Sequence, residues 1–469
     1  MDYSLGYYLM PHPPIMIPEV GKGEERKIQN TINACKKIGQ EISNLKPDTI
    51  VIITSHGPIF SDAIALCKES SIYGDLGRFN AYEVNMHFDI DLELTNKIME
   101  FSKEEKIQTV GTTKELLEHY NRKLELDHGC IIPLYYINQY YKDYKIVHIT
   151  YGFLTLLELY QFGYIIQKAI NSIGRKCVII ASGDLSHRLS VDGPYSYSPK
   201  GKIFDEQILH YLENGKTIEI FNMNKKDVEE AGECGYRSII ILTGAMGEYR
   251  GTLLSYEGTF GVGYGVMSFQ RLNNKNLILT IRDKLYEQLH EKIARSDHYV
   301  KLARQSIEYY FENKKLMEVP NGLPEELINL RRGVFVSLYK CGSLRGCIGT
   351  FLPTTKSIAQ EIITNAIEAA FRDPRFPPLD VKELIDIDIS VDVLSEPMKA
   401  NKENLDPKVY GVIVSQGNKR GLLLPDLEGV NTVQEQLKIA CQKAGINPNT
   451  HYDIEKFSVE RHIEGERNI

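Results

Sequence analysis

The chain has 469 residues, 42% hydrophobic and 25% charged, with 55 basic against 62 acidic side chains and a net charge of −7. That length exceeds what one hydrophobic core organises, so two or three domains are expected. The mildly acidic balance offers no basic face for nucleic acid, and the composition is that of an ordinary soluble globular protein.

Taken in chain order, residues 3–10 form a short apolar run that stops at Pro11, and residues 27–44 carry Ile28, Ile32, Cys35, Ile38 and Ile42 at helical spacing. TIVIIT, 49–54, is β-branched and reads as a buried strand. Residues 145–150 and 177–181 repeat that pattern around a helix predicted over 154–172. A helix over 236–246 and a strand over 265–269 complete an α/β half in which a sheet is flanked by crossover helices.

Apolar periodicity lapses in the polar stretch QRLNNKN, 270–276. The boundary is placed there, giving domains over 1–272 and 277–469. Beyond it come helices over 277–295 and 298–313, and a hairpin in GVFVSLYKCGSLRGCIGT with its turn at Cys341-Gly342. A helix over 356–371, strands over 386–394 and 410–414, and a last helix over 432–444 make this half α+β. The eight cysteines are far apart and contain no CxxC, the pattern of reduced thiols. No signal-peptide pattern and no apolar stretch of membrane-spanning length is present, so a cytoplasmic protein with no membrane and no nucleic-acid partner is expected.

Three histidines share one context. His12 follows the first strand in MPHPP, His56 follows TIVIIT in SHGP, and His187 follows CVIIA in SGDLSH. Ligands of open α/β sheets bind beyond the carboxyl ends of strands, so these imidazoles are expected on one rim. A single histidine in such a loop is ordinarily a hydrogen-bonded loop residue, and it is the repetition that points to a site. Pro13, Gly57 and Gly183 remove bulk and fix the backbone beside them. Asp184 is expected either to orient a nearby imidazole or to serve as a turn or helix-cap aspartate. His128, in LDHGCIIPL, suits a fixed loop entering a strand or helix. In AGECGYRS, Glu233 and Cys234 each offer an anionic ligand to a metal held by His12 and His56. Their plain alternatives are a solvated carboxylate and a small buried hydrophobe.

PHPP, SHGP, LDHG and SGDLSH, in this order and spacing, resemble the class III extradiol dioxygenase superfamily, the LigB-like fold, and within it the Memo-like branch. The likeness covers about residues 1–270. It implies Fe(II) held by two histidines and a glutamate, with open positions for a catechol-like small molecule and O2. Carried over by motif, His12 and His56 become metal ligands, and His187 and His128 the acid–base pair, a task suited to imidazoles titrating near neutrality. Asp184 joins them as their orienting partner. Memo-like proteins have a cysteine near the third ligand position, and ECGYR supplies both types. Glu233 would keep a hard Fe(II) site, whereas Cys234 would make a softer one open to copper or zinc.

The second half resembles the AMMECR family through LRGCIGT (344–350), FRDPRFPPL (371–379), ISVDVLSEP (389–397), YGVIV (410–414) and RGLLLP (420–425). Memo-like and AMMECR-like modules together resemble the pair that accompanies a radical-SAM protein in the AmmeMemoRadiSam system, which implies such a protein as a partner. Arg345 beside glycines is expected to hold an anionic group, with Cys347 as a thiolate it activates. In the plain alternative the glycines permit tight packing and Cys347 fills the core.

Overall fold

Runs such as TIVIIT and CVIIA have no polar face to offer water, and both become inner strands of one sheet, buried along their whole length. The computed structural model describes residues 3–273, 275–340, 342–427 and 429–466. The chain divides into two units, Met1–Lys284 and Leu285–Ile469, the division falling within the helix Ile278–Arg295.

In the first unit the strands are β1 (Ser4–Met10), β2 (Thr49–Thr54), β3 (Ile64–Cys67), β4 (Ser71–Leu76), β5 (Ala81–Asp89), β6 (Thr109–Thr112), β7 (Lys145–Thr150), β8 (Cys177–Ser182), β9 (Glu248–Glu257) and β10 (Tyr264–Asn273). Eight of them form a sheet in the order β6-β3-β7-β2-β8-β1-β10-β9, while β4 and β5 pair as a hairpin. The middle four, β7, β2, β8 and β1, are parallel, so their carboxyl ends lie on one edge. β10 pairs antiparallel with β1 and carries β9 at the rim. It runs on through the polar residues 270–273 because that end of the β9–β10 pair is exposed.

Helices cover both faces. Gln29–Leu45 and His128–Asn138 share a core with Ile50, Ile52, Ile146 and Ile180. Leu156–Ile173 and Tyr236–Met246 pack on the other face and cross each other closely. A Cβ on Gly163 would meet the Ile241 carbonyl oxygen at 1.9 Å, and one on Gly244 the Tyr160 oxygen at 1.9 Å. Thr155 and Glu158 form a capping box at the start of Leu156–Ile173, and Gly174 ends that helix with a φ of 69°.

The second unit has β11 (Val334–Lys340), β12 (Ser343–Thr350), β13 (Ile387–Leu394), β14 (Met398–Lys399), β15 (Gly411–Gln416), β16 (Lys419–Leu423), β17 (Asp453–Phe457) and β18 (Val459–Ile463). They make two four-stranded sheets, β12-β11-β13-β18 and β14-β17-β15-β16. The β11–β12 turn has Gly342 at a φ of 75°; its companion in the expected turn, Cys341, lies outside the described residues. Helices His298–Asn313 and Ile358–Phe371 bury Val334, Val336, Leu338, Ile389 and Val391 on one face of the first sheet. Helix Val433–Ala444 covers the second.

One buried ion pair ties this unit together. Arg304, on His298–Asn313, grips the Glu464 carboxylate through Nε and Nη2 and donates to the carbonyls of Leu384 and Ile387 at 3.0 and 2.6 Å. Removing one partner of a buried pair leaves an uncompensated charge, at a cost of about 3–5 kcal/mol. Glu464→Leu is therefore expected to destabilise the second unit by that amount in urea unfolding. A loss under about 1 kcal/mol would show that the pair contributes little.

Candidate metal and proton-transfer site

The parallel strands deliver their loops to one rim, and there the histidines meet. His12, just beyond β1, is 1% exposed. Its Nε2 faces the Nε2 of His56, just beyond β2, at 2.9 Å, and the Cys234 sulfur lies 3.4 Å from the same His12 nitrogen. His128, the first residue of its helix, lies against His56 with ring centroids 4.1 Å apart, and 5.5 Å from the His12 ring. His187 comes five residues beyond β8 and stacks on Tyr195 at 5.1 Å. The donor atoms of His12, His56 and Cys234 form one group within 4.8 Å of one another, and those of Asp184, His187 and Cys234 form another.

Hydrogen bonding fixes which nitrogen of His12 is free. Its Nδ1 lies 2.8 Å from the Ser182 hydroxyl, which itself donates to the Gly129 carbonyl. Ser182 has one hydrogen and a carbonyl can only accept, so the serine oxygen must accept from His12 Nδ1–H. Nε2 is then unprotonated, its lone pair directed at the meeting point with His56 and Cys234. That is the tautomer a metal ligand requires, stabilised from its far side. The donor set thus fits a transition metal.

A second junction sets the positions of His56 and His128. The Thr54 hydroxyl donates to Asp127 Oδ1 at 2.6 Å and accepts the His56 amide at 3.2 Å. His148, on β7, donates to Asp127 Oδ2 at 2.9 Å. Asp127 is the residue just before the His128 helix, so one carboxylate joins a strand end to a helix start. The loops also need bare backbone. A Cβ on Gly183 would lie 2.2 Å from the Gly235 Cα, and one on Gly57 would lie 2.1 Å from Thr150 Oγ1. Without that close approach Cys234 would not reach His12.

Glu233 and Cys234 are separated by this geometry. The thiol turns toward His12, while the Glu233 carboxylate accepts the Tyr236 amide at the start of Tyr236–Met246. Glu233 belongs to none of the three groups of converging donor atoms among the described residues, the third being Asp127, Cys130 and His148. Among the described residues Asp184 hydrogen-bonds to no imidazole; its Oδ1 accepts the backbone N–H of His12 at 2.8 Å, and its own amide points at the Cys234 sulfur at 3.3 Å. It acts as a loop clamp, because the chain turns back directly after β8 and brings the carboxylate under the His12 backbone. Ser182, Thr54, Asp127 and His148 carry the support and were not singled out in the sequence. Thr54 and Ser182 are the last residues of strands that feed histidine loops, which is the signal that could have found them.

Burial dominates the electrostatics. It lowers the His12 and His56 imidazoles and takes those of His128 and His187 down to about 4. It raises Asp184 and Glu233 to about 7 and pushes the Cys234 thiol up. A cation among His12, His56 and Cys234 would reverse the direction for the thiol.

In the second unit the expected roles divide. Arg345 is not free to hold an anion: Nε and Nη2 donate to Glu383 at 3.1 and 2.9 Å, and Nη1 to the Pro377 carbonyl at 3.0 Å. It fastens neighbouring loops because Glu383 is brought directly over it. Cys347 is half-buried, not a core residue.

Burial alone would push the Asp127 carboxyl up, but hydrogen bonds from His148 and Thr54 outweigh it and hold the group well below the ordinary carboxylate range. A carboxyl depressed in the folded state adds stability above its unfolded pKa, about 4, and loses it as pH falls further. Asp127→Asn is expected to cost about 1–3 kcal/mol at neutral pH. The gap from the native chain should narrow when urea unfolding is repeated near pH 3, and an unchanged gap would rule out an ionised carboxylate as its source.

The family model described as the catalytic LigB subunit of aromatic ring-opening dioxygenase matches residues 6–267, and the AMMECR1 model matches residues 300–462. A protein of Clostridium acetobutylicum is 51% identical over 463 residues, covering 98% of this chain and 99% of its own. A Thermotoga maritima protein is 56% identical over 169 residues, covering 35% of this chain and 96% of its own. One from Methanothermobacter thermautotrophicus is 42% identical over 165 residues, covering 33% and 85%. With more than half its length matched, the chain belongs to the family of the catalytic LigB subunit of aromatic ring-opening dioxygenases, its LigB domain followed in the same polypeptide by an AMMECR1 domain.

Proposed function

We propose that the N-terminal unit holds one transition-metal ion through His12 Nε2, His56 Nε2 and Cys234 Sγ, and serves as an oxidoreductase of the extradiol ring-cleavage type acting on a catechol-like small molecule. The observation that carries this reading is the His12 tautomer: the Ser182 hydroxyl takes Nδ1–H, leaving the Nε2 lone pair facing two further donors. Fe(II) is the ion that family membership favours, and a thiolate ligand also suits copper or zinc. Such an ion, when bound, supplies a Lewis-acidic centre with open positions for a chelating diol and for O2.

The surrounding residues have distinct tasks. His128 and His187, neutral near pH 7 because burial disfavours their charged forms, each offer a nitrogen that takes a substrate proton. Having accepted it, either becomes an acid able to return it. His56 is the most exposed of the four imidazoles and marks the solvent side of the pocket. Phe79, edge-on to His128 at 5.3 Å, adds an apolar wall on which an aromatic ring could rest.

A second reading rests on the third donor being a thiol and not a carboxylate. In it the same pocket binds metal without turnover, and the protein acts as the partner of a radical-SAM modification enzyme.

Protein purified without oxygen is expected to carry about one metal ion per chain by mass spectrometry. His56→Ala and Cys234→Ser should both lose it, and Glu233→Gln should keep it. Metal retained in both of the first two variants would end the proposal. Oxygen uptake with catechol by the iron-loaded protein favours the enzyme, and none, with metal bound, favours the partner reading.

A further inference from the structure

In the second unit, a groove of about 600 Å³ runs between residues 316–331 and the start of helix Ile358–Phe371. Its lining divides into an apolar part and a polar part. Leu316, Met317 and Ile363 supply the first. Ile363 is buried, whereas Leu316 stays 51% exposed, so apolar surface runs from the core out to solvent.

The polar part has a definite sign. The hydroxyls of Thr354 and Thr355 donate to the Glu361 carboxylate at 2.8 and 2.6 Å, and that of Thr364 donates to the Gln360 carbonyl at 2.9 Å. Those three hydrogens are spent. Glu361 is spent as well: it is buried, and it also accepts from the Thr350 hydroxyl and from the amides of Thr354 and Thr355. Its carboxylate is satisfied inside the fold, and among the described residues no carboxylate lines the groove.

The nitrogens tell the other half. Arg331 Nε donates to the Thr355 carbonyl at 3.0 Å, which fixes the guanidinium and leaves both Nη atoms unengaged among the described residues. Gln360 Oε1 accepts the Lys356 amide at 3.3 Å, so its Nε2 faces outward from that bond with hydrogens to give. Lys356 Nζ has neither a hydrogen-bond nor an ion-pair partner among the described residues. These nitrogens can only donate, and two of the three side chains are cationic.

A donor-only wall beside an apolar wall selects its occupant. A cation is repelled, and a plain hydrocarbon leaves the donors unmatched. An anion without a tail leaves the apolar wall in water. The guanidinium fork matches the two oxygens of a carboxylate.

We propose that this groove binds a small aliphatic carboxylic acid as its anion. The carboxylate lies on Arg331 and Lys356 with Gln360 as a further donor, and the hydrocarbon tail lies on Leu316, Met317 and Ile363. Nothing in the site draws on the metal-binding residues of the first unit.

Isocaproate is the probe, added to the full chain carrying carbon-13 methyl groups on its methionines. The readout is the Met317 methyl resonance, assigned by its loss in Met317→Leu. Isocaproate should shift it saturably with a Kd of about 1 mM, ordinary for a ligand of about eight heavy atoms. Acetate, which lacks the tail, isohexanol, which lacks the charge, and inorganic phosphate should each bind at least about tenfold more weakly. Arg331→Met and Lys356→Met should each weaken isocaproate by about tenfold. Both side chains are exposed, and the urea-unfolding midpoint serves as the control on folding. No saturable shift by about 20 mM isocaproate overturns the proposal and needs no variant. Acetate or phosphate binding as tightly as isocaproate shows charge attraction alone and overturns it, as does isohexanol binding equally well. Affinity undiminished in both Arg331→Met and Lys356→Met places the carboxylate elsewhere and overturns the assignment.

Discussion

The Ser182 hydroxyl carries a single hydrogen, and the carbonyl of Gly129 receives it. Everything at the pocket floor follows from that asymmetry. His12 must present Nδ1–H to the serine, so its Nε2 has no proton to give. The 2.9 Å approach of His56 is then compatible with either of two arrangements. A proton on His56 bridges the two rings, or a cation replaces that proton and gathers both lone pairs and the sulfur. The second is the one the neighbouring thiol would join, since a thiol releases its proton to solvent when its sulfur binds a metal. Gly129 follows His128 on the same helix start, and Ser182 ends β8, so a single hydroxyl also joins three of the loops that build the site.

The pocket is poised by burial more than by charge. Beyond burial, His56 disfavours protonation of His12, His128 and His187, and the nearby Asp184 and Glu233 are pushed to about 7 by burial. Only Asp127 departs from this pattern, because two donors face its carboxylate from fixed secondary structure. One full negative charge thus sits beneath neutral imidazoles and two carboxyls that are partly ionised near neutral pH. That distribution receives a cation without strong repulsion and leaves His128 and His187 able to accept protons.

The parallel core and the gathering of His12, His56 and His187 were legible in the sequence, because β-branched runs identify buried strands and strand ends lie on one rim. The hairpin β4–β5 and the rim strand β9 were not. Their residues alternate between buried and exposed over short, irregular spans, and β9 is stabilised by pairing with β10 more than by its own pattern. The choice between Glu233 and Cys234 was not legible either. Adjacent residues in a loop point in directions set by where the chain enters, and here the entry is dictated by the Gly183–Gly235 contact. For the same reason Arg345 looked like the partner of Cys347, two residues away on the same strand. The guanidinium that reaches the cysteine comes from Arg375, 28 residues later.

That exchange of arginines reflects how an edge strand is managed. An unpaired edge leaves amides and carbonyls open to another chain, and proteins cover it with charged groups, proline or a loop. In FRDPRFPPL the prolines keep the segment from becoming a strand itself, so it cannot extend the sheet by an ordinary ladder. Asp373 and Arg375 substitute for that ladder at one residue, accepting from its N–H and donating to its C=O. Had the cover been another strand, the neighbour of Cys347 would have been a peptide group of no net charge. Because the cover is made of side chains, the neighbour of the Cys347 backbone is instead a charged pair, Asp373 with Arg375. A motif that reads as a rigid connection in sequence therefore protects the open edge of the sheet through a pair of opposite charges.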